Sequence, residues 1–149
     1  MPASRPLRIL AFEGPDKVGK TTIIRELNRR TNYEYLCIDR FTGSAWVYDS
    51  LSGRRQRKDI LSRAELELSK LTSVTFITII LKCDISVLME RVAKAGESDI
   101  TNVPELKKAG RLYEEYSHQI STLRSIEIDT TEKTVDETVT EIIRKVEEL

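Results

Sequence analysis

Apolar and polar positions follow one another along this chain in blocks that predict strands followed by helices. The run LRILAFEG, residues 7–14, is mostly apolar and ends on a glycine, which is typical of a strand buried on both faces. Three further runs have the same character: YEYLCID (33–39), the β-branched SVTFITIILKC (73–83) and IEID (126–129). These four runs predict four strands.

Between the strands, apolar residues recur at helical spacing. The predicted helices are VGKTTIIRELNRR (18–30), SRAELELSKL (62–71), DISVLMERVAKA (84–95), VPELKKAGRLYEEYSHQISTL (103–123) and TVDETVTEIIRKVEEL (134–149). Ser62 with Glu65, and Thr134 with Glu137, have the spacing of capping boxes and so predict helix starts, and Asp84 is placed to cap its helix. The pattern does not separate helix from loop over residues 40–57, and GESDITN (96–102) reads as a polar loop.

Strands that alternate with helices predict a parallel sheet with right-handed crossovers, helices on both faces and ligands outside the carboxyl ends of the strands. A chain of 149 residues can bury one core, so we expect a single α/β domain over residues 1–149.

Composition restricts the function classes without choosing one. The 24 basic residues equal the 24 acidic residues, so no overall field favours binding to nucleic acid or a membrane surface. No apolar run has the length of a membrane span, and MPASRPLRIL lacks the features of a signal peptide, so we expect a cytoplasmic protein with no membrane partner. Cys37 and Cys83 are expected to be buried, reduced thiols, and His118 is given no role.

The stretch FEGPDKVGKTT carries the most specific chemistry. Gly14, Gly19, Lys20 and Thr21 complete the spacing G-x-x-x-x-G-K-[ST] between a predicted strand and a predicted helix, the context of a phosphate-binding loop. Lys20 would reach the terminal phosphates and the Thr21 hydroxyl would bind magnesium. We therefore expect ATP and Mg²⁺ as cofactors. The ATP-binding residues expected are Gly14, Pro15, Asp16, Lys17, Val18, Gly19, Lys20, Thr21 and Thr22.

Several blocks of the sequence together resemble thymidylate kinases. They are Phe12-Glu13-Gly14 with Asp16 and Gly19 to Thr22, the block DRFTGSAWVY (39–48), LKCDISVLMERVAKAGESD (81–99), RLYEEY (111–116) and IDTTEKTVDETV (128–139). The resemblance implies the α/β three-layer sandwich of P-loop kinases, with a four-stranded parallel sheet in the order 2-1-3-4 and a short lid at about residues 94–102. A full-length member has a further strand and helices before the DRF strand, so the chain is similar to a trimmed, phage-type member.

The same resemblance implies roles for individual residues. The catalytic set is Lys20, Lys17, Arg40 and Arg91; the acceptor-binding set is Asp16, Arg40, Phe41, Ser44 and Tyr48; the metal-binding set is Thr21 and Asp39. Several of these residues could instead have an ordinary structural role: a solvated turn for Lys17, a local cap for Asp16, a surface ion pair for Arg40, an ordinary surface arginine for Arg91, and core packing for the aromatic residues.

Three function classes remain open on the sequence. The first is an ATP- and Mg-dependent deoxynucleoside monophosphate kinase, thymidylate-like, acting on a small-molecule nucleotide acceptor. The second is a kinase that acts on modified bases or ends in DNA, which the basic run GRRQRK (53–58) favours. The third is a non-catalytic nucleotide-binding module, which the missing base-pocket segment favours. A homodimer is compatible with each class. One further departure from the thymidylate kinase pattern is Asp49, which stands where that family usually has glutamine.

Overall fold

The computed structural model describes residues 5–15, 18–54, 57–94 and 103–149. The strands are β1 (Leu7–Glu13), β2 (Leu36–Asp39), β3 (Val74–Lys82) and β4 (Arg124–Asp129). The α-helices are α1 (Lys20–Thr31), α2 (Thr42–Leu51), α3 (Lys58–Ser69), α4 (Ile85–Lys94), α5 (Val103–Glu115) and α6 (Val135–Glu147), and a π-helix covers Tyr116–Ile120. The GESDITN loop, and with it nearly all of the expected lid, lies outside the described residues.

The four strands form one parallel sheet in the order β2-β1-β3-β4, which confirms the predicted fold. Phe12 of β1 pairs with Asp39 of β2, and Lys82 of β3 pairs with Asp129 of β4. In this register all four strands end at the same edge of the sheet. The phosphate-loop sequence and the DRF sequence therefore begin at neighbouring positions on that edge.

One face of the sheet carries the larger apolar core. Alternate residues of β1, β3 and β4 point to it, as expected for pleated strands, and they pack against α1, α4 and α6. Its fully buried members include Leu10, Phe12, Leu27, Ile79 and Ile142. The strands needed no polar alternation in the sequence because helices also cover the opposite face.

The opposite face is covered by α2, α3, α5 and the π-helix. Trp46, Val47, Ile80, Tyr113 and Tyr116 form its buried apolar cluster. Helices therefore lie on both sides of the sheet, in three layers. None of the helices in the described ranges combines the length and apolar character needed to cross a membrane.

The capping box predicted at Ser62 and Glu65 is wrong. Helix α3 begins four residues earlier, at Lys58, and Glu65 is fully buried in its interior. The Glu65 carboxylate accepts hydrogen bonds from the Thr42 and Ser121 hydroxyls, at 2.8 and 3.1 Å, from the Thr122 amide at 3.0 Å, and from the Tyr116 hydroxyl. The Glu65 side chain therefore makes its hydrogen bonds with distant elements and does not cap its own helix.

The helix predicted for residues 103–123 is shorter and changes its winding. Helix α5 ends at Glu115, the π-helix follows, and the Ser121 amide donates to the Tyr116 carbonyl at 2.8 Å, a five-residue step. Tyr116 and Ser121, at the two ends of this wider turn, both donate to Glu65. The change of winding thus coincides with the binding of a buried carboxylate.

Two smaller predictions have opposite outcomes. The capping box of α6 is confirmed, because the Thr134 hydroxyl accepts from the Glu137 amide and the Glu137 carboxylate accepts from the Thr134 amide, both at 3.1 Å. The two cysteines are free but only half-buried, not fully buried as predicted. Burial still raises the pKa of the Cys37 thiol to about 11, so that it is protonated at neutral pH.

Candidate active site

The phosphate loop lies directly beyond the end of β1, and its glycines are required by its geometry. Gly14 has φ +150° and Gly19 has φ +97°, conformations that side chains disfavour. A methyl group on Gly14 would lie 2.6 Å from the Leu81 carbonyl oxygen. The backbone therefore passes against β3 too closely for any other residue at this position.

Lys20 is the first residue of α1, and its side chain turns back into the loop. The ammonium donates to the carbonyl oxygens of Gly14 and Pro15, at 2.8 and 3.1 Å, and the residue is only 7% exposed. Thr21 and Thr22 follow it in the first turn of α1 and are exposed. A buried ammonium enclosed by loop carbonyls at a helix N-terminus provides the charge that an anionic phosphate group requires. Asp16 and Lys17 lie outside the described residues.

Arg91 lies behind the loop. From α4 its guanidinium donates to the Val18 carbonyl at 3.3 Å, and to the hydroxyl and carbonyl oxygens of Thr130 at 3.3 and 2.9 Å. Val18 is buried and belongs to the large core. Arg91 therefore connects the phosphate loop to the turn between β4 and α6.

Arg40 lies just beyond β2, beside the phosphate loop, with φ +70°, which is unusual for a residue with a side chain. Its amide donates to the Phe12 carbonyl of β1 at 2.9 Å. Its guanidinium carbon lies 5.0 Å from the centre of the Tyr48 ring, and its Nη1 donates to the Tyr48 hydroxyl. Both the backbone and the head group of Arg40 are thus held in place.

Sequence reasoning gave Glu13 no role, although it is the most enclosed polar residue at this edge. It is fully buried, and it accepts hydrogen bonds from the Phe41 amide at 2.7 Å, the Ser44 amide at 2.5 Å and the Ser44 hydroxyl at 2.8 Å. Burial raises the pKa of the Glu13 carboxyl, while these hydrogen bonds and the charge of Lys20 act in the opposite direction. The available signal was a carboxylate that directly follows the apolar residues 9–12 at the end of β1.

Two of the residues expected to bind an acceptor make internal contacts. The buried Ser44 hydroxyl bonds Glu13 and lies 2.9 Å from the Tyr113 hydroxyl of α5. The half-buried Phe41 ring stacks on Phe76 of β3, with 6.1 Å between ring centres. The structure thus brings Arg40 and Tyr48 together with Ser44 near the loop, and turns Phe41 toward the sheet.

The expected metal-binding residues Thr21 and Asp39 are both exposed at the carboxyl edge of the sheet. No group of three or more histidine, cysteine, aspartate or glutamate side chains able to hold a metal occurs among the residues that the structure describes. A threonine hydroxyl and one carboxylate still fit Mg²⁺ in a phosphate loop, since that ion keeps waters and takes its other ligands from the bound phosphates.

The positive charge of the basic run GRRQRK is partly neutralised by Asp49. The buried Asp49 carboxylate accepts two hydrogen bonds from Arg57, at 2.8 and 3.1 Å, and lies 3.6 Å from Arg54. Hydrogen bonding to Arg57 lowers the pKa of Asp49 below its ordinary value. Arg55 and Gln56 lie outside the described residues. The run thus joins α2 to α3 through an ion pair.

A cavity of about 500 Å³ opens at the same edge, between the ends of β3 and β4 and helices α4 and α5. Pro15 of the loop and Tyr113 line it, together with Asp84, Lys107 and Arg111. Its volume falls in the range of small-molecule sites, and its walls carry both signs of charge. The cavity therefore adjoins the phosphate loop on the side away from β2.

Neither a protein-family model nor a curated protein matches the sequence, but solved structures do. YorR from Bacillus subtilis, in complex with phosphorylated GDP, is 21% identical, with 93% of this chain and 95% of that chain covered and a TM-score of 0.72. Deoxyadenosine kinase from M. mycoides with bound dCTP is 14% identical, covering 95% and 100%, with a TM-score of 0.68. Thymidylate kinase from Candida albicans is 15% identical, covering 98% and 93%, with a TM-score of 0.67. These likenesses, with the strand order and the phosphate loop, show that the chain has the fold of the P-loop kinases.

Proposed function

We propose that the chain is an ATP- and Mg-dependent phosphotransferase that moves the γ-phosphate of ATP to a deoxynucleoside monophosphate, with thymidylate as the first candidate. The observation that carries this proposal is Arg40, a guanidinium fixed at the carboxyl edge of the sheet beside the phosphate loop. A planar guanidinium binds phosphate through two hydrogen bonds, so it suits an acceptor that itself bears a phosphate. The likeness in fold to a thymidylate kinase supports the same class.

Lys20 and the loop amides hold the donor in this proposal. Phosphoryl transfer depends mainly on positioning and on neutralising charge, and the buried Lys20 ammonium is placed to do both. On binding, its hydrogen bonds to the Gly14 and Pro15 carbonyls give way to phosphate oxygens. Lys17 would add a second positive charge. Thr21 would hold magnesium, with Asp39 acting through water, and the ion would further neutralise the charge of the phosphate oxygens.

The acceptor lies over the end of β2 in this proposal. Arg40 binds its phosphate, while Tyr48 keeps the guanidinium in place and lines the site. Asp16 would bind the acceptor sugar. Ser44 and Phe41, whose side chains are engaged inside the protein, contribute through the position of α2 rather than by contact. Arg91 contributes through Val18, by holding the loop.

A second candidate is transfer to the hydroxyl of a deoxynucleoside. Asp39 favours it, because this exposed carboxylate at the end of β2 could accept the proton of a hydroxyl nucleophile. Several matched structures are deoxyadenosine kinases. A monophosphate acceptor needs no such base at neutral pH. The first candidate therefore depends on Arg40, and the second depends on Asp39.

A third candidate, transfer to DNA, has weaker support. The basic run that suggested it already has two of its arginines, Arg54 and Arg57, beside the buried Asp49 carboxylate. A strand of DNA would have to compete with that carboxylate for them.

A coupled assay with ATP or GTP as donor decides among the candidates. The acceptors are the four common deoxynucleoside monophosphates, the corresponding nucleosides, and a single-stranded oligonucleotide. We expect turnover with a monophosphate, and Lys20→Ala serves as the control for a contaminating kinase. Turnover with nucleosides alone, or with the oligonucleotide alone, would establish the corresponding alternative. ATP binding without turnover on any acceptor would leave a non-catalytic binding module.

A further inference from the structure

Helix α2, which follows Arg40, is capped by a side chain from another element. Its N-cap residue Phe41 provides no side-chain hydrogen bond to the helix in the described part of the chain. Instead, the Glu13 carboxylate of β1 accepts from the amides of Phe41 and Ser44, the N-cap and N3 positions. These are the two amides that a local capping box would satisfy. The start of α2 is thus attached to the residue that precedes the phosphate loop.

The same contacts hold the peptide groups on both sides of Arg40. The N–H of Arg40 donates to the Phe12 carbonyl, and the N–H of Phe41 donates to the Glu13 carboxylate. Arg40 has φ +70°, a conformation that is strained for a residue with a side chain and persists where surrounding contacts enforce it. Two consecutive residues of β1 therefore enforce the backbone that aims the Arg40 side chain.

The Glu13 carboxylate fills the space beside Gly43 at the start of α2. A methyl group on Gly43 would overlap Glu13 Oε2, so the glycine lets the carboxylate reach the helix N-terminus. The Ser44 hydroxyl, which bonds Glu13, also bonds Tyr113 of α5. Glu13 is consequently linked to α5 as well as to α2.

We propose that Glu13 is a positioning residue for the acceptor site, which sets Arg40 relative to the phosphate loop by capping α2. This inference rests on the proposed function, because it takes Arg40 as the group that binds the acceptor. Gly14 follows Glu13 directly, and its carbonyl accepts from Lys20. The end of β1 therefore positions both binding groups. It holds Lys20 through the loop that follows the strand, and it holds Arg40 through the Glu13 carboxylate.

A role as general base does not fit Glu13. The residue is fully buried, and its two oxygens already accept three hydrogen bonds from α2 and its N-cap. An acceptor could reach it only if the start of α2 moved away. The effect of Glu13 on transfer is thus exerted through Arg40.

Glu13→Gln tests the inference because it keeps the shape and changes the hydrogen bonding. Glutamine has one acceptor oxygen and one NH₂ group, so one of the two α2 amides would face a donor. We expect the acceptor KM to rise roughly tenfold to a hundredfold, since an unpaired buried donor carries a penalty of that size, with a smaller effect on the KM for ATP. Hydrogen exchange of the Phe41 and Ser44 amides, followed by NMR, should become faster.

Glu65→Gln is the matched control, since Glu65 is another fully buried carboxylate on the same face. Among the described residues, its hydrogen bond to α2 comes from the Thr42 side chain and not from a backbone amide. It should lower the melting temperature without raising the acceptor KM. An equal rise in both variants, or no change in Glu13→Gln, would overturn the inference. If Glu13→Gln does not fold, Ser44→Ala replaces it. That variant removes one of the three hydrogen bonds and should raise the acceptor KM several-fold, and an unchanged KM would count against the inference.

The exchange measurement separates this inference from the proposed function. If the wild-type protein phosphorylates no acceptor, the proposed function fails. Faster exchange at Phe41 and Ser44 in Glu13→Gln, but not in Glu65→Gln, would still establish that Glu13 holds the segment carrying Arg40. Unchanged exchange would overturn that positioning role whatever the assay shows.

Discussion

The guanidinium of Arg40 lies over the ring of Tyr48, 5.0 Å from its centre, and donates a hydrogen bond to the hydroxyl of the same residue. Tyr48 lies eight residues further on, within α2, so the start of this helix sets the position of both partners. Such contacts reduce the number of conformations that the long arginine side chain must give up when it binds a phosphate. Arg40 is therefore preorganised, provided that α2 keeps its place.

Lys20→Ala should abolish phosphoryl transfer. The ammonium is the buried positive charge inside the loop, and loss of one major electrostatic contact of this kind commonly lowers the rate at least about a hundredfold. The fold should persist, as judged by circular dichroism. Lys70→Ala, at an exposed lysine paired with Glu67, is the control and should retain full activity. Turnover of Lys20→Ala above about a hundredth of the wild-type rate would refute the role of this residue.

Gly43→Ala should destabilise the protein by about 2 kcal/mol, since the added methyl group overlaps the Glu13 carboxylate and approaches the Tyr116 ring at 3.2 Å. Gly110→Ala in α5 is the matched control, because no described atom outside its chain neighbours and the adjoining helix backbone lies within 4 Å of the methyl position. Alanine there should instead stabilise by about 0.5–1 kcal/mol through helix propensity. Urea denaturation of both variants measures the difference, and equal effects would contradict the packing at Glu13.

Thr134→Ala should destabilise by about 1 kcal/mol, because Thr134 caps α6 through its hydroxyl. Ser62 has the same sequence spacing to a glutamate, but it lies inside α3 and not at its start. Ser62→Ala should therefore change stability by less than about 0.5 kcal/mol. Thermal unfolding of the two variants compares them, and a cost at Ser62 as large as that at Thr134 would show that the boundary of α3 is wrong.

The ion pair between Asp49 and Arg57 should make stability depend on pH in the acidic range. Hydrogen bonds from Arg57 lower the pKa of Asp49 in the folded state below its ordinary 3.8. The stabilisation is therefore present above pH 3.8 and is lost as the pH falls through the lower folded-state pKa. Asp49→Asn should be less stable than the wild type at pH 7, with the difference vanishing at low pH. A difference that is constant with pH would exclude this ion pair as its cause.

The sequence predicted the sheet well because its signals are local and redundant. Each strand lies in or overlaps a mostly apolar run, and the glycines of the loop mark where β1 ends and α1 begins. The sequence pattern did not predict helix α2, because the start of this helix depends on Glu13, a residue 29 positions before Thr42, and not on a local cap. The error at Ser62 has the same origin, because a capping pattern inside a helix looks identical to one at its start.

In the candidate site too, the sequence predicted some residues and missed the contacts of others. The phosphate loop follows from a motif, and Arg40 and Tyr48 follow from their spacing in a family pattern. The internal hydrogen bonds of Ser44, the stacking of Phe41 on Phe76 and the burial of Glu13 depend on side chains that meet across elements. Neither composition nor periodicity contains that information.

The central claim is that Arg40 binds the phosphate of the acceptor, and calorimetric titration of Arg40→Lys tests it most directly. ATP and thymidine monophosphate are titrated separately into the wild type, Arg40→Lys and Arg40→Ala, with turnover measured on the same samples. Arg29→Lys, at an exposed arginine paired with Glu26, is the control. We predict that both Arg40 variants keep ATP affinity and lose acceptor binding and turnover, because an ammonium cannot reproduce the two-point geometry of a guanidinium. Unchanged acceptor binding and turnover in Arg40→Lys, or loss of ATP binding in either variant, would contradict the claim.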